Sequence, residues 1–433
     1  MEVQVHRSTI LAAPHAHPLE EEVPLTIFDL FASNINIAVL FAFTAPTPSD
    51  TEIIEGLSKT LVHFPLLTAQ LDYSRLRRRR PCLVVGGKGG GALVVEATVA
   101  ADLSDLLPLE PSADFLLLHP PTEETHHLFQ VQLNRFRCGG LVVAAVTHHR
   151  VADGQSMSTF FVAWGESIRG TPITSLPVYD QSWIKPRSPP KCEFQHWDLE
   201  FVRVPPYRNG SPSNHQDEDP SKITNILLRY SSEFITTKLK PRTRGKYTTF
   251  ETVLAHLWRK ITMARGLDDR RHTAIRVTVN GRPRMRPPVP NEFVGNLVLN
   301  AYPESNVRLL LQGGPERAAK IIHDAVRRID ESYFQSIIDF GAMHGDDDLV
   351  PVYDTGGVVL SPNLEVDSWL RFRFQEVDFG GGGKLCAFLP TWVPIEGLVI
   401  FVPGLEQDGG LNVVVTLLKE HAEKLRQISH CLM

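Results

Sequence analysis

Hydrophobic and polar positions along this chain follow two rhythms. The run Asn36-Ile-Ala-Val-Leu-Phe-Ala-Phe43 and the alternating Leu128-Phe-Gln-Val-Gln-Leu133 have the β-branched and aromatic composition of strands. Between them Ile53, Ile54, Leu57 and Leu61 recur at helical spacing, with Ser49 or Asp50 placed to cap the start and Pro65 to stop the continuation. The turn Arg137-Cys-Gly-Gly140 separates the 128–133 strand from a more apolar one, Leu141 to Val146, which predicts a hairpin with a central buried strand. That strand runs into His148-His-Arg-Val-Ala-Asp-Gly154. From Gln155 the period changes to a helix carrying Met157, Phe160, Phe161, Trp164 and Ile168 on one face, closed by Gly170.

Periodicity is lost between about 185 and 220, where Pro, Ser, Asn and Asp accumulate, so a long surface connection is predicted there between two units. Beyond it the mixed character returns. Strands are predicted at Thr224–Tyr230, Thr273–Val279, Gly397–Val402 and Leu411–Thr416. Helices are predicted through Phe250, Val253, Leu254, Leu257, Trp258 and Ile261, and from Pro315 to about Ile329. The expected organisation is a first lobe over 1–184, a crossover linker over 185–222 and a second lobe over 223–433, with no short repeat that would indicate a solenoid or propeller.

The chain has 433 residues, enough for two or three domains with substantial cores. With 44 basic and 49 acidic residues its net charge is -5, which disfavours a nucleic-acid binder and leaves small-molecule chemistry as the default. Five scattered cysteines without CxxC spacing predict reduced thiols rather than disulfides or a zinc site. No apolar stretch approaches the roughly 18 residues needed to span a bilayer. A cytoplasmic protein with no membrane partner is expected, and Cys431 stands one place short of a prenylation position.

The candidate chemistry sits at the strand-to-helix junction. His149 and Asp153 stand four apart with Gly154 next, after an apolar strand, which holds an imidazole at the exposed end of a sheet with a carboxylate nearby. Its pKa near neutrality suits general-base work. A loop histidine beside a helix-capping aspartate is the alternative. Metal binding by His148, His149 and Asp153 is disfavoured because adjacent residues of an extended segment point to opposite sides and no second ligand cluster exists. There is no GxSxG elbow for a serine hydrolase. The glycine runs at 86–91 and 380–383 lack the context of phosphate-binding loops, and the short run Arg77–Arg80 reads as a solvated loop, with contact to an anionic cofactor as the alternative.

Three motifs in order, His149-Arg-Val-Ala-Asp153-Gly154, Asn280-Gly-Arg-Pro-Arg284 leading to Gly295-Asn296, and Asp378-Phe-Gly-Gly-Gly382, resemble those of the plant BAHD acyl-CoA-dependent acyltransferases across essentially the whole chain. Two positions depart from the family pattern: Gly381 stands where DFGWG has tryptophan, and Asn280 opens a motif usually written DxRxR. The tryptophan loss and Asp367-Ser-Trp-Leu-Arg371 resemble the amine-acylating branch, which includes agmatine, putrescine and tryptamine N-hydroxycinnamoyltransferases.

The resemblance implies an α/β fold of two similar mixed-sheet lobes, like chloramphenicol acetyltransferase, with a channel between them and His149 midway along it. It also implies a monomer that takes acyl-CoA as co-substrate, with no metal and no permanently bound cofactor. His149 would deprotonate an amine as it attacks the thioester, with no acyl-enzyme. Asp153 would pair with an arginine, Arg282 by preference, and Gly154 would supply backbone freedom. Trp369 would donate to the oxyanion, with a core tryptophan beside Leu370 as the equal alternative, and Asp378 would be structural.

Glu365 and Asp367 project to one side of an extended strand. They are expected to meet the cationic far end of an acceptor such as agmatine or putrescine, with Arg371 and Arg373 as competing partners. The alternatives are an O-acyltransferase on an alcohol and a catalytically silent homologue.

Overall fold

The computed structural model describes residues 1–12, 21–73, 81–87, 89–122, 126–203, 219–345, 349–352, 360–405 and 408–432. The Arg77–Arg80 run, Lys88 of the first glycine run and residues 204–218 of the connection lie outside the described residues.

Two mixed sheets with helices form the α/β architecture. The first sheet runs Val3–Leu11, Ala92–Val99, Phe129–Phe136, Leu141–His148, Asn36–Phe43 and Leu385–Pro390 from edge to edge. The hairpin around Arg137–Gly140 sets its centre: Leu141 to Val146 are all buried because both flanking strands and both faces are covered. On one face the helices Asp50–Leu61 and Gly154–Ile168 pack together, with the Trp164 indole donating to the Ile53 carbonyl at 3.0 Å inside an aromatic cluster of Phe41, Phe160 and Phe161. Ser49 and Glu52 form a reciprocal capping box that starts the first of these helices.

The second sheet runs Ile223–Tyr230, Leu411–Leu418, Leu398–Pro403, Leu364–Ser368, His272–Asn280 and Val298–Ala301. Leu364–Ser368 is parallel to both of its neighbours and therefore central. The helix Thr249–Ala264 begins at a Thr248–Glu251 capping box and buries Val253, Leu254, Leu257, Trp258 and Ile261. Among the described residues no helix is long and apolar enough to cross a membrane.

Two features go beyond the sequence reading. The strand Leu385–Pro390 leaves the C-terminal half of the chain and pairs with Asn36–Phe43 in the first sheet. In addition, the described part of the crossover, through Arg203, is anchored rather than superficial. The helix Glu331–Met343 presents Asp339 to the backbone N–H groups of Arg187 and Lys191, and Ser336 to those of Glu193 and Phe194. Buried His196 links Ser336 at 2.9 Å to Glu200 at 3.1 Å, and the Tyr333 hydroxyl donates to the same carboxylate at 2.5 Å. A segment without periodicity is thus held by polar groups that each find a partner.

The loop that leads into the crossing strand explains the tryptophan departure. Phe379 stacks on Phe43 at 4.9 Å and lies against Trp164, while the Asp378 carboxylate accepts from Gly380 N–H at 2.8 Å. Arg169, at the end of the Gly154–Ile168 helix, bonds to the Asp378 carbonyl and lies 3.5 Å from its carboxylate. Gly381 has φ +74°, and a Cβ there would come within 2.8 Å of Pro48 N and 2.9 Å of the Thr47 carbonyl carbon. A side chain would have to displace backbone. Gly381→Ala is therefore expected to destabilise the protein by about 1–3 kcal/mol, from the left-handed conformation together with overpacking, read as a lowered urea midpoint at unchanged m-value.

Candidate active site

The apolar strand Leu141–His148 ends where the chain must turn into the helix that starts at Gly154. This places His149 at the junction of the two sheets. Its backbone is held from both sides: its N–H donates to the Ile35 carbonyl at 2.9 Å, and its carbonyl accepts from Asn296 Nδ2 at 2.9 Å. The ring is partly exposed. Nδ1 is enclosed without a hydrogen-bond partner among the described residues, which leaves Nε2 as the accessible nitrogen. Neighbouring His148 is a different kind of residue. Burial, then the nearby Arg150 charge, pushes its pKa down to about 4, so it stays neutral near pH 7.

Asp153 turns away from His149 toward the second sheet and caps the Gly154–Ile168 helix, accepting from Ser156 N–H at 3.0 Å. Arg282 meets it with both terminal nitrogens, Nη1 to Oδ2 at 2.7 Å and Nη2 to Oδ1 at 3.0 Å. Leu297 N–H adds a bond at 3.1 Å and the Ser156 hydroxyl one at 3.0 Å. Arg282 is fully buried and Asp153 nearly so. Burial alone would raise the Asp153 pKa, but the Arg282 charge and these hydrogen bonds outweigh it and hold the carboxyl below its ordinary 3.8. Asn280 accepts from Arg282 N–H at 3.0 Å, so an amide oxygen supplies the acceptor at this motif's first position. At Gly154 a Cβ would fall 2.4 Å from the Phe372 ring, so close approach rather than an unusual φ requires glycine.

Glu365 and Asp367 lie two apart on one face of the central Leu364–Ser368 strand, which Trp369 directly follows. Their partners are not Arg371 and Arg373: Arg373 is bound to Glu376 and Ser175. Glu365 forms an ion pair with Arg276, and the Thr278 hydroxyl donates to Asp367 Oδ1 at 2.5 Å. Burial foremost, and then the like charge of Asp367, raises the Glu365 pKa, against the pull of Arg276 and of the His149 imidazole. The electrostatic interaction between Glu365 and His149 puts that acid in the neighbourhood of the imidazole. Trp369 is largely buried, edge-on to Phe374 at 5.6 Å. Asp378 lies away from this group, in the glycine loop described above.

Four contributors escape a reading of motifs: Asp29, Ser156, Arg276 and Thr278. Asp29 Oδ1 accepts from both the backbone and the side-chain nitrogen of Asn296, at 3.1 and 3.0 Å, and so orients the amide that holds the His149 carbonyl. Burial, only partly offset by these bonds, raises its pKa. Arg276 and Thr278 had a visible signal, the period-two alternation of polar and apolar residues over His272–Asn280. Among the described residues no cluster of three His, Cys, Asp or Glu side chains could hold a metal ion.

Comparison with known proteins matches residues 1–430 to the Transferase family. The chain is 40% identical over 412 residues to tryptamine hydroxycinnamoyltransferase 2 of Oryza sativa subsp. japonica, covering 94% of this chain and 93% of that one. It is 37% identical over 424 residues to agmatine coumaroyltransferase-1 of Hordeum vulgare, covering 95% and 93%. Among solved structures it superposes on vinorine synthase with a TM-score of 0.73 at 19% identity, over 100% and 98% of the two chains. It superposes on F. graminearum TRI101 complexed with coenzyme A and deoxynivalenol with a TM-score of 0.72 at 15% identity, over 94% and 97%.

Because the Asp153 carboxyl has a lowered pKa, its contribution to stability is present above its unfolded value and lost as pH falls through the folded one. Asp153→Asn leaves Arg282 buried and unpaired, at an expected cost of about 3–5 kcal/mol. Denaturation midpoints between pH 7 and pH 3 should show this loss at neutral pH and a smaller acid-side decline than in the wild type.

Proposed function

The chain belongs to the Transferase family of acyl-CoA-dependent BAHD enzymes, and from that premise we propose that it moves a hydroxycinnamoyl or benzoyl group from coenzyme A to an amine. The relatives named above carry out reactions of this kind on tryptamine and agmatine. The observation that carries the amine reading is the acid pair Glu365 and Asp367, two apart on the strand Leu364–Ser368 with Glu365 in electrostatic reach of His149, which offers negative charge to a cationic acceptor and has no use for a neutral alcohol.

In this reading His149 Nε2 removes the proton from the acceptor nitrogen as that nitrogen adds to the thioester carbonyl. The tetrahedral oxyanion is met by the Trp369 indole N–H, a donor only. Collapse breaks the C–S bond, and the imidazolium returns its proton to the departing thiolate. No covalent enzyme intermediate is needed. Asp153 and Arg282 serve the chemistry only by fixing the loop that carries the histidine. Acyl-CoA is a co-substrate, and no step calls for a metal or a resident cofactor.

The direct test is incubation with a panel of acyl-CoAs against amines and alcohols, with products identified by mass spectrometry. Amide products are expected, and products from alcohols alone would overturn the reading. His149→Ala should lower kcat by about 10²–10⁴ at saturating substrates. Trp369→Phe keeps the bulk and removes the donor, so it should lower kcat/KM by about tenfold or more, and an unchanged value would return Trp369 to a packing role.

A further inference from the structure

The acid pair arrives with a cation of its own. Arg276 and Glu365 occupy paired positions on adjacent parallel strands, His272–Asn280 and Leu364–Ser368, and form an ion pair with 18% and 25% of their side chains exposed. Two positions along, Thr278 donates to Asp367 Oδ1. Asp367 Oδ2 has no partner among the described residues. Glu365 interacts electrostatically with the His149 imidazole, which puts this face of the strand pair near the proposed base.

Counting charges decides what this face can accept. Among the described residues, Glu365, Asp367 and Arg276 together carry a net charge of one negative. A monoamine arriving as an ammonium needs one carboxylate, and Asp367 supplies it; the nitrogen gives its first proton up to solvent before it attacks, and the second passes to His149 as the C–N bond forms. An acceptor with a second cationic group needs another, but Glu365 is already committed, and the incoming cation would sit beside Arg276 in a site poorly screened by solvent.

We propose that Arg276 is a specificity-determining residue: an internal counterion that occupies the place of an acceptor's second cation and restricts the enzyme to monoamines whose remainder is uncharged. This rests on the N-acyltransferase reading and reverses the expectation, drawn from the acid pair alone, of a diamine-like acceptor. The ion pair with Arg276 is the difference between the two.

The test uses the full chain with one hydroxycinnamoyl-CoA and measures kcat/KM for tryptamine, agmatine and putrescine. Wild-type enzyme should favour tryptamine over both dications. Arg276→Gln, which keeps a hydrogen-bond donor without the charge, should raise the agmatine-to-tryptamine ratio by about 10- to 100-fold, mainly through KM for agmatine. Arg276→Lys should retain the wild-type ratio. Wild-type preference for agmatine or putrescine overturns the proposal without any variant, as does an unchanged ratio in folded Arg276→Gln. Amides formed with the wrong preference overturn this inference alone, whereas amides formed from no amine overturn the N-acyltransferase reading beneath it.

Discussion

A fully buried guanidinium is tolerable only if its charge and its donors are satisfied, and the Arg282 to Asp153 pair meets that demand by drawing three chain segments together. Besides the carboxylate, Arg282 Nη2 reaches the Phe293 carbonyl at 2.9 Å and the Ser156 hydroxyl at 3.1 Å. The carboxylate in turn takes Leu297 N–H from the second half and Ser156 N–H from the first. Because either charge alone would be strongly unfavourable here, the loop before the Gly154–Ile168 helix has one low-energy position relative to the second sheet. His149 inherits that position.

A second tie acts on the other side of the histidine. The short helix Ile27–Phe31, capped by Thr26, holds Asp29 under Asn296, whose amide reaches the His149 carbonyl. The two ties differ in kind. Arg282 and Asp153 form a strong pair that sets where the loop is, whereas the contacts of Asp29 and Asn296 orient one peptide group within it. The proposed general-base role of His149 would depend on angle as well as distance, and a site that fixes the backbone on both flanks can leave the ring without a polar partner at Nδ1 among the described residues.

How much of this could be read beforehand depends on how local each signal is. Strands such as Asn36–Phe43 and the helix from Gly154 are written in periodicity, because burial on one or both faces imposes it. The edge strand Val3–Leu11 is exposed over most of its length and carries no such imprint, and the helix Glu331–Met343 is buried on too many sides to show a clean stripe. The motif residues His149 and Asp153 were legible as a pair within five positions. Arg276 showed only as one polar position of an alternating strand, because its partner Glu365 stands 89 positions later in the chain and is reached only through parallel strand pairing. The crossing of Leu385–Pro390 into the first sheet has the same character: no local pattern says whose neighbour the strand is, and the sequence reading did not place a strand there.

That crossing strand also bears on why the two halves hold a single geometry. A strand contributed from the second half of the chain to the edge of the first sheet adds main-chain hydrogen bonds between the halves, and its side chains Phe388 and Leu389 are buried in the first core. The loop leading into it is fastened by Phe379 on Phe43 and by Arg169 on Asp378, at the far end of the helix whose start is capped by Asp153. One helix is thus pinned to the second half of the chain at both ends, by a buried ion pair at its N-terminus and by a glycine-dependent loop at its C-terminus. The consequence for the chemistry is direct. A rotation of one sheet against the other that would move the Leu364–Ser368 strand relative to His149 has to break both attachments, so the placement of that strand against the histidine loop is set by the same contacts that hold the fold together.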